Sequence, residues 1–514
     1  MANQFLVKET MAAMRNLSAS EIDGLKGNNP VYAGVQLLGY YEKGDTPAPI
    51  IYHYVDLQNE PDPGTDDGGS IIEIGNNKLR HDFKGADIYD IYFGYKTGVF
   101  FTKEQNNLKL NSMYNSDANS IVHSPGVEAD ISESLIIDNE NLKIEGNGFV
   151  IRQADNSSLI TYTDRPLIDI ISNGVMIEDL VLDDNIQNNF VMLGANKIHA
   201  ANPGDIPGVT RTGHDVLVIR ANNVVVRRVV VEGASWTGIK VTYDPNNVEV
   251  NNVIIEDCVV NQTFRDSISI MHCRNVKVRN NKINNGIHHQ IHVYTNTLNT
   301  EVSGNHCFNN LTDIFHWYTG INLENYERGC IIVDHVSYDK KTVNTVISNN
   351  IVISNSLSDF KAGVVTQGYP ENVSIKNNLF IRCTRGLFIA RGNPVGDICT
   401  ITGNTILGSV NGVHFWPAAS GGNYGGKTTP QQSRTVLSAN NIESSDIAIR
   451  VSGSVENVQN FYSLYNVLLE GNTINGKPDL TLSQELNFSG NALGTHKIIL
   501  DLQIKSAVLV KQLF

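Results

Sequence analysis

The sequence predicts an all-β protein, a right-handed parallel β-helix that follows a small N-terminal capping or attachment segment. Two observations carry this prediction: a repeat of about two dozen residues, and short alternating strands within it that are split by Asn or Gly. The right-handed sense follows from the rule that crossovers between parallel strands are right-handed.

The repeat becomes visible when its segments are aligned on their first residue. Its shortest spacings are 23 and 24 residues, and the longer spacings indicate insertions. A unit of this length with two or three short strands is typical of one coil of a solenoid, in which each coil stacks on the next. The aligned segments begin at residues 141, 174, 223, 252, 275, 299, 344, 372, 398, 435 and 466.

Most units carry Asn at their seventh position, and we interpret this column as structural. Asn tolerates the left-handed backbone of a tight turn, and stacked amides can hydrogen-bond from coil to coil. The column contains Asn147, Asn281, Asn305, Asn350, Asn378, Asn404, Asn441 and Asn472.

Two units are much longer than the repeat. The coil at residue 174 carries roughly 25 extra residues and the coil at residue 299 roughly 21, which predicts two long loops. The regular coils at 252 and 275 lie between them. We therefore expect a groove on these regular coils, with one loop on each side.

The rest of the chain divides around this repeat. The spacing of Met11, Met14 and Leu17 predicts a helix within residues 1–27, and residues 44–70 read as a hairpin or linker because they are rich in Pro, Gly and Asp. The predicted divisions are an N-terminal helix and attachment segment (1–78), a strand pair and connector (79–120), the β-helix (121–484) and C-terminal cap strands (485–514).

Composition and charge narrow the function classes. A formal net charge of −14 argues against general binding to nucleic acid or to anionic membranes. The six cysteines show no CxxC spacing, which predicts free thiols. No signal peptide and no apolar run of membrane-spanning length are found in the sequence, so we expect synthesis in a cytoplasm and no membrane insertion.

Two stretches resemble known proteins. LRHDFKGADIYDIYFGYKTG (79–98) resembles the short strand pair that precedes the β-helix in phage tailspikes, and SPGVEADISESLIIDNENLKIEGNG (124–148) resembles the first coil of pectate-lyase-superfamily β-helices. The resemblance implies a homotrimeric polysaccharide depolymerase that acts outside the cell, as a released enzyme or with its N-terminus attached to a virion or tail. It transfers no catalytic residue, because YKTGVFFTKEQNNLKL replaces the Asp-rich segment that often follows the strand pair.

The alternation of residues in four coils predicts the functional site. In TGIKVTY (237–243), DSISIMH (266–272), HQIHVYT (289–295) and DIFHWYT (313–319), the third and fifth residues are apolar and point inward, so the first, fourth and sixth lie on the outer face. The candidate catalytic residues on this face are Lys240, Asp266, His292, Tyr294, Asp313, His316 and Tyr318. The candidate substrate-binding residues beside them are Asp184, Trp236, Arg265, His288, His289 and Glu324.

Two chemistries fit these residue types. A lyase acting on a uronate polymer needs a cation for the sugar carboxylate (Lys240 or Arg265), a base and a proton donor, and His and Tyr serve these last two roles. A hydrolase needs two carboxylates, and Asp266 and Asp313 occupy equivalent positions two coils apart, which predicts a separation of about 9–10 Å. The excess of cationic and titratable groups on an acidic protein favours the lyase and an anionic polysaccharide.

Other interpretations remain open at this point. The same face could be a solvated surface or a sugar-binding surface of a non-catalytic receptor fibre. His288 and His292 have HxxxH spacing, but in a strand their Cβ atoms are about 13 Å apart, so no metal site is predicted. We expect no cofactor, with a structural or substrate-bridging Ca²⁺ as the alternative.

Overall fold

The computed structural model describes residues 4–155, 166–186, 188–189, 191–193, 196–198, 215–286, 288–309, 329–334, 342–354, 362–368, 370–391, 398–415, 433–451, 465–477 and 500–503. Contacts divide the chain into two compact units, Met1–Ser157 with Pro166–Asp183 and Ser158–Arg165 with Asp184–Phe514, here called the N-terminal and C-terminal units. None of the described helices has the length and hydropathy needed to span a membrane.

The N-terminal unit begins with a small five-stranded sheet and two short helices. Residues 1–27 contain two helices rather than the predicted single one, because Ser18 adopts an extended backbone and caps the second with Glu21. Met11 and Met14 are buried, as their spacing predicts. These elements are β1 (Leu6–Lys8), α1 (Met11–Arg15), α2 (Ala19–Asp23), β2 (Val35–Leu37), β3 (Ile50–Val55), β4 (Ile71–Ile74) and β5 (Asn77–Arg80).

A third helix, α3 (Lys103–Tyr114), was not predicted from the sequence. Thr102 caps it, and the Gln105 side chain accepts a hydrogen bond from the Thr102 backbone in return. The signal was present as the T-x-x-Q spacing of a capping box. The side-chain amides of Asn106 and Asn107 donate to the carbonyls of Asp130 and Glu133 at 3.0 and 2.9 Å, which fixes the helix against the first coils.

The same unit contains the first coils of parallel strands. The strand Asp87–Tyr89 pairs in parallel with Ser120–Val122, which in turn pairs with Lys143–Glu145. The remaining elements of this unit are β6 (Asp87–Tyr89), the 3₁₀-helix Asp90–Phe93, β7 (Ser120–Val122), β8 (Glu128–Ile131), β9 (Leu135–Ile137), β10 (Lys143–Glu145), β11 (Val150–Gln153), β12 (Ile168–Ile170), β13 (Met176–Glu178) and β14 (Val181–Asp183).

The C-terminal unit consists of stacked coils, and the prediction of a right-handed parallel β-helix is confirmed. Its elements are β15 (Val191–Leu193), β16 (Asn196–Ile198), β17 (Leu217–Ile219), β18 (Val224–Arg227), β19 (Val230–Ala234), β20 (Ile239–Val241), β21 (Val250–Glu256), β22 (Val259–Thr263), β23 (Asp266–Arg279), β24 (Lys282–Gly286), β25 (His289–Ser303), β26 (His306–Asn309), β27 (Gly329–Val333), β28 (Thr342–Ser348), β29 (Ile351–Ser354), β30 (Ala362–Gly368), β31 (Glu371–Lys376), β32 (Leu379–Ile381), β33 (Arg385–Arg391), β34 (Ile398–Thr402), β35 (Thr405–Phe415), β36 (Ser433–Ser438), β37 (Asn441–Val451), β38 (Tyr465–Lys477) and β39 (Leu500–Gln503).

Pairing in this unit follows the repeat. Between residues 217 and 309 every described strand pair is parallel, as in β20 with β23 and β23 with β25. The residues predicted to point inward in the first three of these strands are fully buried, whereas Phe315 and Trp317 lie outside the described residues. The six cysteines are also buried and are free thiols, as predicted. The inward pairs are Ile239 with Val241, Ile268 with Ile270 and Ile291 with Val293. Of the predicted C-terminal cap strands, only β39 lies within the described residues.

A buried ladder of asparagines joins successive coils. In each step the side-chain amide donates to the side-chain oxygen of the next coil at 2.8–2.9 Å, and that oxygen also accepts the backbone N–H of the donor residue. The predicted column was wrong at two positions: Asn440 takes the place assigned to Asn441, and Asn147 instead donates to the carbonyl of His123. The ladder contains Asn281, Asn305, Asn350, Asn378, Asn404, Asn440 and Asn472.

The left-handed residue of each turn is the one before the ladder asparagine. It is Asn or Gly in six of these turns and Ala439 in the seventh, with φ between 53° and 68°. The first residue of the repeat forms a second, exposed ladder with the opposite direction, in which each amide donates to an asparagine of the preceding coil at 2.8–3.1 Å. Its donors are Asn252, Asn275, Asn299, Asn344 and Asn372.

Candidate active site

The site lies on one sheet of the C-terminal unit, formed by β20, β23, β25 and β27. The predicted register is correct for the first three strands: Lys240 is paired with Ser269, and Ser269 with His292. Asp266 is paired with His289, and Met271 with Tyr294. The regular spacing of these coils made their register predictable.

The register predicted for the fourth strand was wrong. The strand beside β25 is β27 (Gly329–Val333), so Ile332 takes the position assigned to His316 and Gly329 the one assigned to Asp313. The apolar run of β27 suits a strand that is buried on both faces, and its five residues are all buried. DIFHWYT matches the residue pattern of the earlier coils because it contains both Asp and His, whereas β27 contains neither.

Part of the predicted site lies outside the described residues. The loop segment 310–328 and most of the loop in the coil at residue 174 are not among the described residues. The groove predicted between the two loops therefore stays a prediction. The predicted site residues in this category are Asp313, His316, Tyr318 and Glu324.

Asp266 is the centre of the described site. Its two carboxylate oxygens accept from different histidines, Oδ1 from His288 Nδ1 at 3.3 Å and Oδ2 from His292 Nδ1 at 3.1 Å. Asp266 is 4% exposed and His292 5%, although the sequence placed His292 on an exposed outer face. Strand alternation identifies the face on which a side chain lies but does not reveal what covers that face.

The charges of this cluster follow from its contacts. Burial alone would raise the pKa of the Asp266 carboxyl, but the imidazoles of His292, His288 and His289 outweigh burial and hold this pKa well below its usual value. Burial lowers the pKa of His288 more than its hydrogen bond to Asp266 raises it. At neutral pH Asp266 is therefore ionised and His288 is neutral.

The orientation of His292 determines what it can do. Because its Nδ1 donates to Asp266, the lone pair of the ring is on Nε2. This Nε2 is buried and has no hydrogen-bond partner among the described residues. The ring of Tyr294 is half-buried and its centroid lies 4.7 Å from that of His292. A hydrogen-bond acceptor and a phenol are thus adjacent.

His289 extends the cluster into a row of three imidazoles. Its ring centroid lies 3.8 Å from His288 and 4.7 Å from His292, and the residue is buried. One ligand atom from each of Asp266, His289 and His292 lies within 4.8 Å of the others, so these three could hold a metal ion. Two imidazoles and one carboxylate suit a transition metal rather than Ca²⁺, which prefers oxygen ligands.

The predicted cations differ in their surroundings. The Lys240 ammonium lies 2.7 Å from Asp215 Oδ2, and their side chains are 19% and 8% exposed, so the pair has no net charge. The Arg265 guanidinium lies 4.6 Å from the centroid of the Trp236 ring and its Nε lies 4.0 Å from Asp266 Oδ2. Arg265 is therefore the cation that remains partly exposed beside Asp266.

Two further predicted substrate-binding residues have structural contacts. Trp236 is 3% exposed, so its ring supports Arg265 instead of offering a surface to a sugar. Asp184 is buried and accepts a hydrogen bond from the Ser235 backbone N–H at 2.6 Å, which holds the chain where it leaves β19.

Sequence reasoning missed two carboxylates. Asp215 lies in the preceding coil and neutralises Lys240. It was missed because the long insertion in that coil, which begins at residue 174, made its register unpredictable from the sequence. Asp334 follows the strand residue that pairs with Val293, so it takes the place beside Tyr294 that was assigned to Tyr318. Its Oδ2 accepts from Gln367 Nε2 at 2.7 Å.

Comparison with known proteins supports the architecture. No family model and no curated protein sequence matches the chain. Tailspike protein 2 of an Escherichia coli O157:H7 bacteriophage superposes with a TM-score of 0.50 and 11% identity, over 86% of this chain and 54% of that protein. The likeness is one of fold. The chain spans about half the length of this tailspike.

Two enzyme structures are also similar. The A-module of mannuronan C-5 epimerase AlgE4 from Azotobacter vinelandii has a TM-score of 0.45 and 15% identity, over 76% of this chain and 96% of the module. Endo-xylogalacturonan hydrolase from Aspergillus tubingensis has a TM-score of 0.42 and 11% identity, over 74% of this chain and 95% of the hydrolase.

Proposed function

We propose that the chain is a polysaccharide-degrading enzyme of the tailspike type, a lyase that cleaves an anionic, uronate-containing polysaccharide by β-elimination. One observation carries the proposal: His292 donates through Nδ1 to the buried carboxylate of Asp266, which leaves Nε2 as a proton acceptor beside Tyr294. A carboxylate–histidine pair of this kind fixes both the tautomer and the orientation of the ring.

In the proposed reaction the Arg265 guanidinium pairs with the uronate carboxylate, which makes the neighbouring C–H more acidic. His292 Nε2 takes that proton, and the electron pair forms a double bond between the carbon that lost the proton and the one that carries the glycosidic oxygen. The glycosidic C–O bond breaks, and the leaving oxygen takes a proton from the Tyr294 hydroxyl. Asp266 stabilises the imidazolium that forms. His288 is the positioning residue on the other carboxylate oxygen.

The state of Asp266 is the reason for preferring elimination to hydrolysis. Hydrolysis needs one carboxyl group that is protonated at the working pH, and the histidines keep the pKa of Asp266 low instead. One observation favours the alternative: Asp334 lies in the register position beside Tyr294 and gives the sheet a carboxylate besides Asp266 and the Asp215 that pairs with Lys240. A hydrolase would then use Asp334 as acid and Asp266 as base.

Product chemistry separates these reactions. The full chain is incubated with a panel of uronate polymers, with absorbance near 235 nm and reducing ends measured in the same samples. A lyase produces both signals, because each cleavage creates an unsaturated uronate. Reducing ends without the absorbance would mean hydrolysis, and neither signal on any polymer would favour a non-catalytic receptor fibre.

We further propose that the protein acts outside the cell as a homotrimer, as a phage tail component or as a released enzyme. The fold shared with a tailspike supports this proposal. Light scattering at micromolar concentration is expected to give about three times the chain mass of 56.5 kDa. A mass equal to that of one chain would contradict the proposed trimer, but it would not affect the proposal of a lyase reaction.

A further inference from the structure

A second cluster of charged and aromatic side chains lies on the same sheet as the candidate active site, in later coils. It is formed by β33, β35 and β37, where Phe388 is paired with His414 and His414 with Arg450. Arg385 is paired with Asn411, in the column that contains Asp266 and His289 in earlier coils. We call Arg385, Phe388, His414 and Arg450 the arginine cluster.

Contacts within the arginine cluster hold its side chains in place. The Arg385 guanidinium carbon lies 4.5 Å from the centroid of the Phe388 ring, and that ring lies 5.0 Å from the His414 ring. His414 is 2% exposed, while Arg385, Phe388 and Arg450 are half-buried. The contact with the Phe388 ring restricts the motion of the Arg385 guanidinium, so this group loses less freedom when it binds a ligand.

Besides burial, two charged groups among the described residues, the guanidinium groups of Arg385 and Arg450, lower the pKa of His414. Burial lowers the pKa of His414, the guanidinium groups of Arg385 and Arg450 lower it further, and the result is about 3. The ring is therefore neutral at physiological pH and sits between two permanent cations. Two arginines thus lie beside one buried histidine in a chain whose net charge is −14.

The arginine cluster is separate from the active site. Four register steps lead from His292 through Ile332, Val365 and Phe388 to His414, which is about 19 Å at the strand spacing of a sheet. The intervening Ile332 and Val365 are at most 1% exposed. The two clusters are thus distinct sites on the described sheet rather than one continuous polar strip.

We infer that Arg385, His414 and Arg450 form an anion-binding subsite that takes the carboxylate of an acidic sugar or a sulfate group. Arginine presents paired N–H donors that match the two oxygens of a carboxylate, and a neutral histidine adds one more donor. The inference rests on the proposed function only for the choice of a uronate as the sugar.

Binding can be measured at His414 itself, without turnover. The full chain, with ¹³C-labelled histidine, is titrated with tri-galacturonate, with sodium sulfate and with neutral maltotriose at constant ionic strength. The His414 resonance is identified by its loss in the His414→Gln variant. Tri-galacturonate or sulfate should shift this resonance at millimolar concentration and raise the pKa of His414, since the bound negative charge offsets the arginines. Maltotriose should leave it unchanged.

Substitutions test whether the arginines provide the binding. Arg385→Gln and Arg450→Gln should each weaken binding of the anion about tenfold or more, the usual worth of a charge-assisted hydrogen bond. Arg382→Gln is the matched control, because Arg382 is exposed and lies in the coil of Arg385. An equal loss of affinity in Arg382→Gln would mean that the anion is attracted by general positive charge, and would overturn the subsite.

The two proposals fail separately. If neither anion shifts His414, the subsite is overturned even when the absorbance assay detects a lyase. If galacturonate shifts His414 while no polymer yields unsaturated product, the proposed reaction is overturned and the subsite stands. A response to sulfate with none to galacturonate would assign the subsite to sulfated sugars.

Discussion

The buried asparagine ladder and the site sheet share several coils of the C-terminal unit, yet residues repeat along the ladder and vary along the sheet. The ladder places the same residue at one corner of seven successive coils, from Asn281 to Asn472. The column of His292 carries Lys, Ser, His, Ile, Val, Phe, His and Arg in successive strands. In this chain, the register position that keeps the same residue from coil to coil has a structural role. The register position whose residue changes from coil to coil contains the candidate catalytic residue.

The largest effect should come from the site column. We expect His292→Ala to lower turnover by about 10²–10⁴-fold, the typical worth of a general base, measured as absorbance near 235 nm per folded chain. The ring is buried, so the unfolding midpoint should fall as well, and the folded fraction must be measured by circular dichroism. His306→Ala is the control, since His306 is exposed and lies in β26. Near-normal turnover in His292→Ala would remove it from the mechanism.

The ladder should respond in stability instead. Asn350→Ala removes the acceptor of both N–H groups of Asn305 in a buried corner, and we expect it to lower the free energy of unfolding by about 3 kcal/mol. Asn344→Ala, in the exposed ladder of the same coil, should change it by about 0.5 kcal/mol or less. Urea unfolding of both variants gives the comparison. Equal losses would mean that burial does not distinguish the two ladders.

Acid should weaken the fold through His414. An unfolded histidine takes up a proton near pH 6.5, whereas folded His414 does so only near pH 3, so stability falls as pH drops between these values. The slope from this residue is at most about 1.4 kcal/mol per pH unit. Urea midpoints from pH 7 to pH 5 should fall less steeply in His414→Gln than in the wild type. Parallel slopes would assign the acid sensitivity to other groups.

The smallest effect concerns the one ladder turn without Asn or Gly. Ala439 has φ 53°, a left-handed conformation that is strained for residues with a Cβ other than Asn and Asp. Ala439→Gly should raise the free energy of unfolding by about 1 kcal/mol or less, because relief of strain is partly offset by the greater freedom of unfolded glycine. The expected readout is a slightly higher unfolding midpoint with unchanged activity. A lower midpoint would contradict the strain.

The repeat was enough to predict the fold and part of the site. Spacings of 23 and 24 residues leave little freedom for alignment, so the register of Ser269 with His292 followed from counting. Counting did not give the register of the fourth site strand, because the insertion that includes residues 310–328 makes this coil long and several of its segments could form the strand. It also failed to show that Asp266 binds two histidines, since their approach depends on side-chain rotamers and burial.

The asparagine ladder also has a consequence for how such a chain can change over time. Asn281 and Asn305 are 24 residues apart, and Asn305 and Asn350 are 45 residues apart. The side-chain hydrogen bond that joins each pair nevertheless measures 2.9 Å in both cases. The hydrogen bonds at this corner of the coil are therefore the same whether or not a long insertion lies between two ladder asparagines. A lineage could lengthen, shorten or exchange the segment between Asn305 and Asn350, and so acquire a new specificity, while the scaffold that carries it stays the same.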